Sequence, residues 1–206
     1  VVQCQLGNLD AAEICFRRLV DTDRSANAAR AWFQLGFIMA RRNRTEDAAA
    51  AYRQALVLRP DYIEARNNLA LMLERGDAAS AIAELEKAVR LDPGAAGAQF
   101  NLGRLYSAAG RLEEAVASYE RAAAADVGMA KASYNQGVLL ERLGRPEAAA
   151  AAYEKAAAAD PENASALARL GSVYRDLGRL EQAETALTRA VQVDPKLAGA
   201  WNSLGI

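Results

Sequence analysis

Apolar and small residues recur along this chain at the three- and four-residue steps that give a helix one buried face. In the stretch NLGRLYSAAGRLEEAVASYERA, Asn101 to Ala122, they fall at Leu102, Gly103 and Tyr106, then at Ala115, Tyr119 and Ala122. The stretch LGSVYRDLGRLEQAETALTRA, Leu170 to Ala190, repeats the skeleton. A fixed period changes the fold expected, so it is traced first. One small site runs Gly36, Ala70, Gly103, Gly137, Gly171, Gly205, in steps of 34, 33, 34, 34 and 34. A second runs Ala12, Ala48, Ala81, Ala115, Ala149, Ala183. A large residue follows each of these four positions on: Phe16, Tyr52, Leu85, Tyr119, Tyr153, Leu187. Another small residue then stands at Ala55, Ala88, Ala122, Ala156 and Ala190, with Leu19 the exception.

Each unit reads as two helices. Gly76, Gly110, Gly144 and Gly178 lie between them, where a left-handed C-terminal turn favours glycine, and Asn43 takes that place in the first full unit. Pro146 falls just inside a second helix, where its missing N–H costs nothing. Prolines 60, 93, 161 and 195 close units, and three follow aspartate; a residue before proline avoids the α region, so Asp92, Asp160 and Asp194 are expected to end helices. Arg24 and Val127 stand in the other two closing positions. The unit from Ile63 to Ala95 is one residue short, near Leu73 to Asp77, and the junction SANA, Ser25 to Ala28, carries two extra.

The pattern resembles the tetratricopeptide repeat (TPR), W-x2-L-G-x2-Y, A-x3-F, A, P over about 34 residues. Trp32, Leu35, Gly36, Ala48, Tyr52, Ala55 and Pro60 match in the first full unit; Leu170, Gly171, Tyr174, Ala183, Leu187, Ala190 and Pro195 match in the last. The resemblance implies an all-α fold, a right-handed α-solenoid of stacked antiparallel helix pairs. The expected organisation is one array over residues 1–206: a partial repeat at 1–28, complete repeats at 29–62, 63–95, 96–129, 130–163 and 164–197, and the start of another at 198–206. Neither end carries a polar cap of the kind solenoids need, so a fragment of a longer protein is expected; disordered flanks are the alternative.

Composition narrows the chemistry. The chain has 206 residues, 52% hydrophobic and 25% charged, which suits a folded protein. Lys plus Arg number 25 and Asp plus Glu 26, so no general nucleic-acid or anionic-membrane binder is indicated; the cluster of Arg41, Arg42 and Arg44 reads as a solvated turn. There is no histidine, the commonest general base and metal ligand. Cys4 and Cys15 fit no zinc spacing; free thiols are expected, with a disulfide the alternative. No apolar run reaches transmembrane length, and VVQCQLGNLD lacks the basic start of a signal peptide. Compartment stays undetermined, and alanine- and arginine-rich usage hints at a GC-rich bacterial source. Glycines recur with the repeat, and Glu113–Glu114 opens a second helix, where the dipole favours acids. No catalytic residue, cofactor or metal is therefore expected, and the residues present indicate no enzyme.

Binding is the chemistry left. The shared Leu-Gly positions of each first helix face neighbouring helices, and the opposite face carries varied residues. In the TPR family that face lines the concave groove where peptides bind. The carboxylate clamp that holds the EEVD tail of heat-shock chaperones matches here only at Asn101 and Lys131, with Asn67, Leu71 and Asn135 departing from it, so that clamp is judged absent. The asparagine ladder in the TPR superhelix of O-linked N-acetylglucosamine transferase is closer. At position six of the repeat this chain reads Gln34, Asn68, Asn101, Asn135, Arg169, Ser203. A carboxamide offers donor and acceptor together, so it pairs with a peptide group whatever the bound sequence. The expected peptide-binding set is Gln34, Asn68, Asn101, Arg104, Lys131, Tyr134, Asn135 and Arg169. Phe33, Phe37, Phe100 and Tyr134 read equally as groove anchors or as packing between repeats. Arg104, Lys131, Arg142, Arg169 and Arg175 make the later part more positive, offset by Glu141 and Asp176, which favours an acidic or C-terminal peptide. The sequence thus implies a non-catalytic scaffold for a protein or peptide partner, with no nucleic acid and no membrane. The alternatives are the recruiting arm of a larger enzyme, such as a glycosyltransferase, and self-association through uncapped ends.

Overall fold

The computed structural model describes residues 9–22 and 26–204. Among them lie twelve α-helices and no strand: α1 Leu9–Thr22, α2 Ala26–Arg41, α3 Thr45–Leu58, α4 Ile63–Leu73, α5 Ala78–Leu91, α6 Ala96–Ala108, α7 Leu112–Ala125, α8 Ala130–Arg142, α9 Pro146–Ala159, α10 Ala164–Asp176, α11 Leu180–Val193 and α12 Ala198–Leu204. Among the described residues no helix is long and apolar enough to cross a membrane. The chain divides into two compact units, Val1–Asn101 and Leu102–Ile206, so that α6 contributes residues to both.

In the first unit α2 packs on α3, α3 on α4 and α4 on α5, with α1 against α2. Its core gathers Leu35, Met39, Ala48, Ala49, Tyr52 and Leu69. In the second unit α7 packs on α8, α8 on α9, α9 on α10 and α10 on α11, with α12 at the end. Its core gathers Leu140, Ala149, Tyr153, Leu170, Val173 and Tyr174. Small residues set the approach of each pair. A Cβ added to Gly137 would stand 2.6 Å from the Tyr153 ring, and one on Gly36 would stand 2.7 Å from the Tyr52 ring. The tyrosine lies flat in the space the glycine leaves, which is why the two positions recur together.

The turns follow the glycine rule with one departure. Asn43, Gly110, Gly144 and Gly178 have φ of 58°, 76°, 69° and 73°. Each lets the next N–H reach back to the last helical turn; Arg145 N–H, for instance, donates to Leu140 O at 2.9 Å. Gly76, expected in the same conformation, is not left-handed. That turn is one residue shorter, and Asp77 N–H reaches Leu73 O at 2.8 Å without a change of hand. Residues 26–28 of the junction form the start of α2, which runs for 16 residues, while Ser25 and Arg24 lie outside the described residues.

Helix ends also correct the reading of Asp-Pro. Asp92, Asp160 and Asp194 are extended C-caps, but so is Asp126, which precedes Val127. In all four the carboxylate accepts an N–H two residues on, from Gly94, Gly128, Glu162 or Lys196. The aspartate's own turn stops the helix, and proline is not required. A second joint was not foreseen. Arg66, Gln99 and Trp201 occupy one repeat position, and each donates to the carbonyl of the proline six residues earlier, Pro60, Pro93 or Pro195. Three different side chains serve because the carbonyl asks only for an N–H. Gln99 is 1% exposed, and its Oε1 is buried without a hydrogen-bond partner.

Cys15 is disulfide-bonded rather than the free thiol expected; Cys4 lies outside the described residues.

Candidate functional site

The expected binding residues all lie on the first helices of their pairs: Gln34 on α2, Asn68 on α4, Asn101 and Arg104 on α6, Lys131, Tyr134 and Asn135 on α8, and Arg169 on α10. None is buried; Lys131 and Arg169 are exposed and the rest half-buried. The two residues after position six, Leu35–Gly36, Leu69–Ala70, Leu102–Gly103, Gln136–Gly137 and Leu170–Gly171, are buried, so helical spacing leaves position six on the less covered face.

In the first unit the carboxamides are joined. Asn101 Nδ2 donates to Asn67 Oδ1 at 2.8 Å. Asn67 Nδ2 donates to Asn68 Oδ1 at 3.4 Å, and Asn68 Nδ2 to the Tyr52 hydroxyl at 3.4 Å. Burial pushes the Tyr52 hydroxyl up to about 12, with the Asn68 amide opposing, so it stays a neutral group at ordinary pH. Gln34 is outside this chain of bonds. The route of Asn101 has a simple cause. Asn68 finds a tyrosine sixteen residues back; the residue sixteen before Asn101 is Leu85, which has no hydroxyl, and Asn101 turns to Asn67.

In the second unit Asn135 repeats the Asn68 arrangement, hydrogen-bonding the Tyr119 hydroxyl, on which the charge of Arg104 also acts. Tyr134 packs at a tilt against Tyr153 with ring centroids 5.7 Å apart and hydrogen-bonds Arg169. Arg169 Nη1 meets Glu141 Oε2 at 3.3 Å, and the Tyr153 hydroxyl donates to Glu141 Oε1. Burial and the Glu141 carboxylate both push the Tyr153 hydroxyl up. Arg175 lies 3.8 Å from Asp176. Arg169 and Arg175, two cations expected on this face, are therefore held by acids.

The aromatics divide. Phe33 packs at a tilt against Tyr52 and Tyr62, with centroids at 5.7 and 5.0 Å, so it belongs to packing within the first unit. Tyr134 is packed too, although its hydroxyl serves Arg169. Phe37 lies under the Arg41 guanidinium at 6.0 Å. Tyr52 and Tyr119 of the second helices, read from the sequence as packing alone, prove to be the hydrogen-bond partners of Asn68 and Asn135, while Tyr153 bonds Glu141 instead. The constant sixteen-residue interval was the available signal. Among the described residues no three His, Cys, Asp or Glu side chains gather as a metal site would need.

The first unit offers linked amide and hydroxyl groups, and the second an amide, hydroxyls and a paired charge. Such chemistry suits reversible hydrogen bonding to an extended chain.

Comparison with known proteins agrees with the fold. A tetratricopeptide repeat model matches residues 71–130, 100–164, 134–198 and 168–206, and a TPR repeat model matches 38–75. A crystal structure of MamA protein superposes with a TM-score of 0.71 at 25% identity, over 82% of this chain and 93% of that one. YrrB, described as a TPR protein with an unusual peptide-binding site, gives 0.75 at 20% identity, over 93% and 98%, a likeness of fold alone. The peroxisomal targeting signal receptor of Kluyveromyces lactis is 40% identical over 75 residues, 34% of this chain and 13% of the receptor. That of Eremothecium gossypii gives the same figures, so the match spans only about an eighth of either receptor. The repeat models cover well over half of the sequence, and the chain belongs to the tetratricopeptide repeat family, whose members act as protein-interaction scaffolds.

Proposed function

We propose that this protein is a non-catalytic scaffold that binds an extended peptide, or an extended segment of a partner protein, on the open faces of its first helices. The observation that carries the reading is the bonded run Asn101–Asn67–Asn68–Tyr52 in the first unit. Each carboxamide has two N–H groups and an oxygen with two lone pairs. Internal bonds use part of that capacity and hold the amides in place, and the remainder is available to peptide groups. Pre-positioned donors lose little side-chain freedom on binding. Asn135 supplies the same chemistry in the second unit, beside Lys131. The 75-residue similarity to proteins named as targeting signal receptors is consistent with peptide recognition. A chain with no histidine also lacks the usual general base, which supports a role without catalysis.

The test begins by panning a random peptide library on the wild-type protein. The affinity of a selected peptide is then measured on a variant with Asn67, Asn68 and Asn101 changed to Ala. Removing two or three peptide hydrogen bonds should weaken binding roughly tenfold or more, with far-UV circular dichroism unchanged. Equal affinity with intact helicity rejects the reading.

A further inference from the structure

Position six of the repeat changes character along the chain. Asn68 and Asn135 are neutral carboxamides, each bonded to the tyrosine sixteen residues earlier. In α10 the position is Arg169, and the tyrosine sixteen residues earlier is Tyr153. Its hydroxyl meets no carboxamide and donates instead to Glu141. The other Glu141 oxygen takes the Arg169 guanidinium at 3.3 Å, and Tyr134 hydrogen-bonds the same guanidinium. One neutral amide has thus been replaced by an acid and a base of zero net charge. The pair is not sealed: the Arg169 side chain is 51% exposed and that of Glu141 29%. A ligand can therefore reach both halves, and each half screens the other.

We infer that Glu141 sets the charge preference of this face, occupying Arg169 as an internal carboxylate and so excluding acidic ligand segments in favour of uncharged ones. The inference rests on the proposed reading of the face as a peptide surface. The physics is competition. A ligand carboxylate that approaches Arg169 must displace Glu141 or lie beside it, and like charges at such a distance disfavour each other. An uncharged peptide group meets no such opposition and can accept from the guanidinium edge that Glu141 leaves free. The sequence suggested an increasingly basic groove suited to acidic peptides; the Glu141–Arg169 pair removes the share of that preference that Arg169 would supply in the second unit.

The reciprocal variants Glu141→Gln and Arg169→Gln test this. Glutamine at 141 keeps an oxygen for the Tyr153 hydroxyl, so the local bond survives while the charge is lost. Wild type and both variants are panned against one random peptide library and the recovered pools sequenced. Glu141→Gln should enrich Asp and Glu about fivefold over the wild-type pool, the equivalent of about 1 kcal/mol for a partly exposed pair. Arg169→Gln, which leaves the acid alone, should enrich Lys and Arg to a similar degree. Glu113→Gln, which breaks the exposed pair with Arg145 elsewhere in the unit, should leave the composition unchanged. Peptides recovered from all proteins with the same charge composition overturn the inference but not the peptide-binding reading. Recovery of no peptide by any of them overturns both.

Discussion

Gly137→Ala is the sharpest test of how the helix pairs are built. Inside a helix, alanine is ordinarily better than glycine by about 0.8–1 kcal/mol. At this site the new Cβ would lie 2.6 Å from Tyr153 Cε1 and 2.8 Å from Cδ1 and Cζ. Carbon atoms rest about 3.5–4.0 Å apart, so close to 1 Å must be found. Tyr153 cannot yield it easily. It is 0% exposed, the Tyr134 ring packs against it at 5.7 Å, and its hydroxyl is bonded to Glu141. The pair α8 and α9 must separate, and overpacking of this kind costs about 1–3 kcal/mol. Set against the propensity gain, the net loss is at most about 2 kcal/mol. Gly97→Ala is the control. Gly97 lies in α6 with nothing within 4 Å of an added Cβ, and the change should stabilise by about 0.4–1 kcal/mol. Urea unfolding followed by circular dichroism reads the global effect. Amide hydrogen exchange in α8 and α9 reads the local one, which matters because repeat proteins need not unfold in one step. Gly137→Ala stabilising the protein as much as Gly97→Ala would refute the glycine–tyrosine account.

Other outcomes follow from the turns and the ion pairs. Gly144→Ala, at a φ of 69°, should cost about 1–2 kcal/mol, whereas Gly76→Ala should cost nothing measurable, because that residue is not left-handed and meets nothing within 4 Å; equal urea midpoints for the two would contradict this. Burial pushes the Glu84 carboxyl up, but Lys87 and Arg66 together hold it below its ordinary value. Stability from this group is therefore present above the unfolded pKa and lost as pH falls through the folded one; Glu84→Gln should flatten that part of the acid limb of a urea-midpoint profile, and an unchanged limb would show that the pair contributes nothing. Asn68→Ala leaves the Tyr52 hydroxyl without its amide donor and should lower stability by about 1 kcal/mol, measured against a Tyr52→Phe double-mutant cycle in which independent effects would remove the coupling.

The fold was legible because the repeat states its packing rules several times. Gly36 with Tyr52, Gly103 with Tyr119 and Gly137 with Tyr153 say the same thing about helix approach, and any one pair could be read from the others. The site was less legible, because its residues vary by design and their partners come from another helix. Asn135 could be placed on the open face by helical spacing, but its bond to Tyr119 depends on a side chain sixteen residues away. Glu141 was visible as an offsetting charge, yet only its position against both Arg169 and Tyr153 shows that it governs the pair. Gly76 was misread because its turn is a residue shorter, and the Cys15 disulfide because spacing alone favours neither state. The donors to Pro60, Pro93 and Pro195 escaped because Arg, Gln and Trp share no composition, only an N–H.

In the proposed function the open face of the first helices, not the second helices, meets the partner. Two-dimensional NMR of the 15N-labelled protein, titrated with a library-selected peptide, addresses it directly through the side-chain amides. The account predicts the largest shifts at Asn67, Asn68, Asn101 and Asn135, with the exposed backbone of α3, α5, α9 and α11 little changed. Shifts confined to those second helices, with the asparagine amides unmoved, would contradict it.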